Sequence, residues 1–404
     1  MRGRLENARF EAVRVVLVLT LVLGCASQEA TRAGPQTPRL IQVPRVVITP
    51  DESTPLPELF AQADAKAVAG DLPGAASLFD RVAAREPDGE LAPEALFRAA
   101  EAHDLSGEHE AAVTRYRAVA DRYPSHVRSR AATLRSVRLL AYREDWQWAG
   151  RYADRMLEHA NELAPLESVV AYGAKALALV ADGDDVRASS FIERGRDMIE
   201  RHSLDLAGRL PRDVAPLYYA LGEVQRVRSE RIRFTPTPPN FLAVLEQRCQ
   251  LILDAQRAYS DTWRAYDAHW STLAGYRLGE MYAKLHAELV AIPPPATADT
   301  DARRQLFDGA MRLRYSVLLE KARGMLEHTV TMAEREGERS ASVADAKQAL
   351  NDLRAAEEAE EAALGKLPYS RADLEEVLAE LQKKAREAAA DPKASPKTST
   401  GTAR

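Results

Sequence analysis

The chain has 404 residues, of which 28% are charged, and its formal net charge is −5. This mild acidity leaves no broad basic field, which argues against nucleic acid as a partner. Ala, Leu, Glu and Arg dominate while alternating Val, Ile and Thr are scarce, so we predict an all-α chain of two or three domains.

The first 24 residues have the pattern of a cleaved leader. Arginines at positions 2, 4, 9 and 14 precede a short apolar run at 15–23. A positive region followed by a short apolar region is typical of an export signal. The run is far shorter than the roughly 20 apolar residues that span a bilayer, which disfavours a permanent anchor helix.

The apolar run ends in "VLGCAS" (22–27), which resembles the bacterial lipobox. The resemblance implies cleavage after residue 24 and acylation of Cys25, including palmitate-type chains that anchor the protein stably. Ala26, where Asp commonly marks retention at the inner membrane, favours the outer membrane, facing the periplasm. An ordinary cleaved signal peptide is the alternative.

Cys249 is the second of only two cysteines and would have no disulfide partner once Cys25 is acylated. It lies at helical spacing in "LEQRCQLILDAQ", and we expect a small buried apolar side chain there.

Residues 25–56 are rich in Pro, Thr and Ser, which favours an extended tether after the lipidated cysteine. A repeat follows, in which equivalent residues lie 37 positions apart. The matched pairs are Gly70 and Gly107, Ala75 and Ala112, Phe79 and Tyr116, Val82 and Val119, and Pro87 and Pro124.

Each repeat predicts two helices, with the glycine ending the first helix and the alanine allowing a close helix approach. This pattern resembles the tetratricopeptide repeat (TPR). It continues at Glu144 with Ala149 and at Gly183 with Ala188. The resemblance implies a superhelix of helical hairpins with a concave binding surface.

The resemblance divides the mature chain into regions of different regularity. We expect a regular TPR-like array at 57–205, lengthened repeats at 206–340 with proline breaks at 233–240 and 292–300, capping helices at 341–390 and a disordered tail at 391–404. The last helix should begin at a capping box formed by Ser370 and Asp373.

The TPR resemblance also implies which side chains line the concave surface. They are Phe60, Asp64, Phe97, Glu101, Asp104, Leu134 and Arg138. A mixed acidic and apolar groove suits a peptide or helix that carries Lys or Arg near apolar anchors. Any one of these residues could equally be a plain surface residue.

A second set of aromatic residues, Tyr259, Trp263, Tyr266 and Trp270, has spacings of 4, 3 and 4, which predicts one helical face. They could form core between long helices, or a partner-docking stripe with Asp261 and Asp267 as its rim.

Motifs for catalysis or cofactors are absent from the sequence: it has no HExxH, G-x-S-x-G, Walker or G-x-G-x-x-G pattern. His109 stands between Glu108 and Glu110, and we interpret this as a solvated corner. We therefore expect no catalytic residue, no metal and no cofactor.

These features predict a non-enzymatic outer-membrane lipoprotein that scaffolds envelope proteins or peptides. The architecture is similar to that of TPR lipoproteins in envelope machines, such as those of outer-membrane assembly or gliding motility, but fold alone does not fix function. One alternative is a lipoprotein activator of a cell-wall or polysaccharide enzyme. Another is a glycan- or peptide-binding module in 213–340.

Overall fold

The computed structural model describes residues 53–205, 210–238 and 240–379. The leader, Cys25, nearly all of the expected tether and the tail at 391–404 lie outside the described residues. What the sequence predicts for them stays a prediction.

The described part of the chain is all-α, as predicted, and contains no strand. Four short hairpins lie within the range predicted as a regular array. They are α1 (Leu56–Val68) with α2 (Leu72–Arg85), α3 (Ala92–Leu105) with α4 (His109–Arg122), α5 (Ser129–Tyr142) with α6 (Trp146–Leu157), and α7 (Pro165–Ala181) with α8 (Asp185–Arg201).

Longer helices follow, and a last helix begins after the turn at Ser370. They are α9 (Ala215–Arg231), α10 (Phe241–Trp263), α11 (Ala268–Val290), α12 (Asp301–Glu336), α13 (Ala341–Gly365) and α14, described over 371–379. The proline breaks predicted at 233–240 and 292–300 lie in the α9–α10 and α11–α12 connections. None of the described helices is long and apolar enough to cross a membrane.

One left-handed residue closes the first helix of each of the four short hairpins. The φ angles are +82°, +77°, +59° and +81° at Gly70, Gly107, Glu144 and Gly183. In each turn the next residue donates its N–H to a carbonyl five positions earlier, which satisfies the end of the helix. The predicted repeat is therefore a repeated turn, and Glu144 adopts the conformation that glycine has elsewhere.

Small residues let the helices approach closely, as the repeat pattern predicts. Ala75, Ala112, Ala149 and Ala188 are all fully buried. In the longer hairpins glycine has this role: a Cβ on Gly222 would lie 2.3 Å from the ring of Tyr259. One continuous apolar cluster extends from the second hairpin to α13, so the longer helices share a core with the short ones.

Charged pairs also link successive hairpins. Arg115 on α4 donates two hydrogen bonds to Asp80 on α2, with Nε to Oδ1 at 2.8 Å, and Arg128 donates two to Glu94 on α3 at 2.8 and 2.9 Å. Two parallel N–H···O bonds fix geometry as well as energy, so these pairs set the rotation between neighbouring hairpins.

At the end of the described chain, the capping box predicted at the start of α14 is present. Asp373 accepts a hydrogen bond from the Ser370 backbone N–H at 2.8 Å, and the Ser370 hydroxyl accepts one from the Asp373 N–H at 3.2 Å. Buried Leu374 packs on Gly309 in the N-terminal part of α12, so α14 covers that part of the helix.

Candidate partner-binding groove

The inner faces of the first two hairpins border a pocket of about 260 Å³. Three of the residues predicted from the TPR pattern meet here: Asp64 from α1, with Glu101 and Asp104 from α3. The other side chains on its walls are Ala67, Leu72, Phe79, Arg98, Ala102, Leu105, Tyr116 and Arg135. We call this pocket the α1–α3 groove.

The α1–α3 groove is acidic and its charges are only loosely paired. Arg98 lies 3.8 Å from Glu101, and Arg135 lies 3.7 Å from Asp104, both longer than a hydrogen bond. Asp64 has no salt-bridge partner within the part of the chain that the structure describes. Asp104 also lies 3.5 Å from His109. Exposed pairs of this kind contribute little to folding, so a cationic ligand can compete with these neighbours for the carboxylates.

Tyr116 forms part of the groove wall and carries an unsatisfied hydroxyl. Its side chain is fully buried, and its hydroxyl has no hydrogen-bond partner among the described residues. Burial, with nearby Asp104, raises the pKa of Tyr116, so the phenol stays protonated. A buried hydroxyl without a partner costs the fold about 1–3 kcal/mol.

Leu105 lines the groove with an exposed apolar side chain, and Val68 holds the equivalent position in the first hairpin. Val68 at the end of α1 is 91% exposed, and Leu105, 37 positions later at the end of α3, is 76% exposed. These two exposed apolar side chains, at equivalent positions of adjacent repeats, offer a partner two apolar contacts.

The third hairpin is closed to a partner because other parts of the chain occupy its inner face. The guanidinium of Arg138 donates to Asp213 at 2.6 Å, ahead of α9. The ring of Tyr142, at the position equivalent to Leu105, stacks on His269 of α11 at 3.8 Å between centroids. Predicted Arg138 is therefore engaged within the chain, and Leu134 is half-buried against the core.

The two predicted phenylalanines support the groove from behind. Phe97 is 3% exposed, packs edge-on against Tyr116 at 5.4 Å and lies under the guanidinium of Arg128. Phe60 is half-buried against Phe79 at 5.1 Å. The ring of Phe97 fills the space between the helices of the second hairpin, so it is buried and does not line the surface as the repeat pattern predicted.

The predicted aromatic stripe does not lie on one helix. Helix α10 ends at Trp263, and Tyr266 lies in the following turn with a φ of +52°. Asp267 is the N-cap of α11, where it accepts a hydrogen bond from the Trp270 N–H at 3.1 Å, so it is not a rim residue of α10. An Asp before a helical segment is an N-cap signal that the spacing argument overlooked.

The four aromatic residues therefore separate into two pairs. Tyr259 is fully buried and its hydroxyl donates to Glu223 at 2.7 Å, and Trp270 is buried against Tyr219. Both belong to the core, which was the other interpretation of the stripe. Only Trp263 and Tyr266 border an open pocket.

A buried polar cluster around Glu223 escaped the sequence analysis. Glu223 accepts hydrogen bonds from Arg226 on its own helix, at 2.7 Å to one oxygen, as well as from Tyr259. Burial raises the pKa of nearby Glu144. This cluster joins α9, α10 and the α5–α6 turn, and we interpret it as structural because its carboxylate is already satisfied.

Two smaller expectations need correction. His109 is half-buried, with its ring edge-on to Tyr142 at 5.2 Å, and is not a solvated corner. Cys249 is a free thiol that is half-buried and not fully buried, and burial raises its pKa. Across residues 53–379, apart from the gaps at 206–209 and 239, no three His, Cys, Asp or Glu side chains are grouped as metal ligands.

Two of the three comparisons with known proteins found no match. No protein-family model matches the chain, and no curated protein matches it. Among solved structures, it is similar to a tetratricopeptide repeat protein from Parabacteroides merdae, with 15% identity and a TM-score of 0.38 over 74% of this chain and 98% of that one. The fold assignment rests on the helical hairpins of the structure itself.

Proposed function

We propose that the chain is a non-enzymatic scaffold that binds a basic segment of a partner protein in the α1–α3 groove. The observation that carries the proposal is the meeting of Asp64, Glu101 and Asp104 in one pocket beside the exposed side chain of Leu105. Lys or Arg side chains of the partner complement the carboxylates, and an apolar side chain of the partner meets Leu105.

The repeat explains why a peptide fits better than a small molecule. Asp64 and Glu101 are equivalent positions of adjacent hairpins, and so are Val68 and Leu105. An extended or helical segment therefore meets the same acidic and apolar pair twice along the groove. Stacked hairpins use their concave surfaces in this way.

We further propose that acylated Cys25 holds the scaffold on the outer membrane, facing the periplasm, where its partners are envelope proteins. The support for this is the lipobox-like sequence at 22–27 and the basic and apolar regions before it. The Pro-rich residues that follow would let the described hairpins stand away from the lipid surface.

A capture experiment from native membranes tests both parts separately. We would compare wild type with Cys25→Ala and with Glu101→Lys, using Glu193→Lys as the matched control because Glu193 is an exposed acid on α8 outside the groove. We expect Cys25→Ala to leave the membrane fraction, and Glu101→Lys, but not Glu193→Lys, to lose a defined partner.

Other outcomes would redirect the proposal. If Cys25→Ala stays in the membrane fraction, the anchor is wrong. If Glu101→Lys captures the same proteins as wild type, the groove is not the binding site. If the partner is a cell-wall or polysaccharide enzyme whose activity rises on binding, the chain is an activator.

A further inference from the structure

A second pocket, of about 230 Å³, lies where the α10–α11 turn meets α12. Its walls are formed by Trp263, Tyr266, Asp267, Ala268, Ser271, His328, Thr329, Met332 and Glu336. We propose that this pocket, which we call the α12 pocket, binds an organic cation of the alkylammonium or guanidinium class. The site is separate from the α1–α3 groove.

Aromatic rings form one wall of the α12 pocket. The Trp263 indole N–H donates to the Ser271 carbonyl at 3.0 Å, which holds the ring in the pocket wall, and the His328 ring lies 6.2 Å from it between centroids. Tyr266 stands 65% exposed beside it, at a φ of +52°. Electron-rich rings attract cations, and Trp does so best.

Charge complementarity selects the ligand. Among the residues that the structure describes, the lining contains two carboxylates, Asp267 and Glu336, and no Lys or Arg. Two carboxylates beside an aromatic wall favour a positively charged occupant.

The hydrogen-bonding groups of the α12 pocket point to a donor ligand. The Trp263 N–H is already used, and the Thr329 hydroxyl donates to the Met325 carbonyl at 2.7 Å. Asp267 and Glu336 supply carboxylate oxygens, which only accept hydrogen bonds. An ammonium or guanidinium group supplies only donors and therefore matches these acceptors.

The volume of the α12 pocket limits the size of the occupant. Sites for drug-sized ligands usually measure about 300–1,000 Å³. A pocket of about 230 Å³ suits a single cationic group, such as one lysine or arginine side chain or a free alkylamine.

The test is an NMR titration of the full chain carrying Cys25→Ala, which keeps every described residue. The indole N–H signals are followed, and the Trp263 signal is assigned with Trp263→Phe. Ligands are N-acetyl-lysine methylamide and its arginine counterpart, n-butylammonium, and N-acetyl-norleucine methylamide as the neutral isostere. N-acetylglucosamine tests the glycan alternative.

We expect the cations to shift the Trp263 signal with saturation at up to tens of millimolar, and norleucine to bind at least about fivefold more weakly. Asp267→Asn, which can still cap α11, and Glu336→Gln should each weaken cation binding. Glu358→Gln, an exposed acid on α13, should not. Tighter binding of the lysine derivative than of n-butylammonium indicates a peptide side chain as the natural ligand, and equal binding indicates a free amine.

The proposal is overturned if norleucine binds as well as lysine, if only the sugar shifts the Trp263 signal, or if no cation shifts it. It is also overturned if Asp267→Asn and Glu336→Gln together leave the affinity unchanged. None of these outcomes depends on whether the α1–α3 groove binds a partner.

Discussion

The ring of Tyr142 at the end of α5 stacks on His269 at the start of α11, with centroids 3.8 Å apart and planes at 25°. This contact joins the third hairpin to the long helices, and it buries His269 to 3% exposure, with no hydrogen-bond partner for either ring nitrogen among the described residues. The neutral imidazole of His269 therefore lies where the third hairpin meets the long helices.

Acid should weaken that junction before other parts of the fold. Burial lowers the pKa of His269 below its usual value near 6.5, while Glu338 and Asp267 oppose the shift and His109 adds to it. As pH falls through about 6.5 the unfolded chain takes up the proton first, so the free energy of unfolding falls and then levels off below the folded-state pKa.

Urea denaturation at about pH 7.5 and about pH 5.5 measures this effect. His269→Phe keeps the stack and should lose less stability between the two conditions than wild type. His202→Gln, at an exposed histidine, should behave like wild type. An identical pH dependence in His269→Phe and wild type contradicts the prediction. His286 is also buried with a lowered pKa, so part of the effect should remain.

Asp185 at the start of α8 should be a second point of sensitivity, at lower pH. Its Oδ2 accepts a 2.6 Å hydrogen bond from Arg228 on α9, and Oδ1 accepts one from Arg231. The hydrogen bond from Arg228 is the main cause of the lowered Asp185 pKa. The stabilisation is complete above the unfolded pKa near 3.9 and is lost as pH falls through the folded value.

Asp185→Asn should lower the free energy of unfolding by about 2 kcal/mol at neutral pH, because two partly buried guanidinium groups lose their counter-charge. Asp182→Asn, at an exposed position nearby, should change it by less than about 0.5 kcal/mol. Chemical denaturation compares them, and equal effects of the two variants would show that the Asp185 pairs contribute nothing specific.

The turn at Glu144 stores backbone strain that glycine should release. The φ of +59° suits glycine, as at Gly107, but crowds the Cβ of any other residue. Glu144→Gly should be more stable than Glu144→Ala by about 1 kcal/mol, and the alanine variant separates this from loss of the carboxylate. If the two variants melt at the same temperature, the strain is absent.

Two buried tyrosines provide a matched comparison. The Tyr259 hydroxyl donates to Glu223, whereas the Tyr116 hydroxyl has no partner in the described chain. Tyr259→Phe should therefore cost about 1.5–3 kcal/mol, and Tyr116→Phe should cost nothing or stabilise the fold slightly. A loss of stability in Tyr116→Phe that equals the loss in Tyr259→Phe would show that its hydroxyl is already satisfied.

Local features of this fold were predictable from sequence. The left-handed turns, the close-packed alanines and the capping box at Ser370 each depend on a few neighbouring residues, and each appears where its pattern predicted. The break after Trp263 was missed because aromatic spacings of 4, 3 and 4 continue across it, while Asp267 starts a new helix.

Contacts that depend on the curvature of the stack were not predictable. Arg138 meets Asp213, and Tyr142 meets His269, only because small rotations between hairpins accumulate until α5 faces later helices. The first two hairpins stay open, and the repeat pattern placed Asp64, Glu101 and Asp104 on the wall of the pocket between them.

The most direct test of partner binding in the α1–α3 groove is site-specific photocrosslinking in native membranes. A photoreactive amino acid replaces Leu105 beside the groove or, as the control, Val186 on α8, which is 73% exposed. We expect a discrete crosslinked protein from position 105 and none from position 186, with loss of the product when Glu101→Lys is added. A product of equal yield from both positions, or one from position 105 that persists in Glu101→Lys, would contradict the claim that the α1–α3 groove binds the partner.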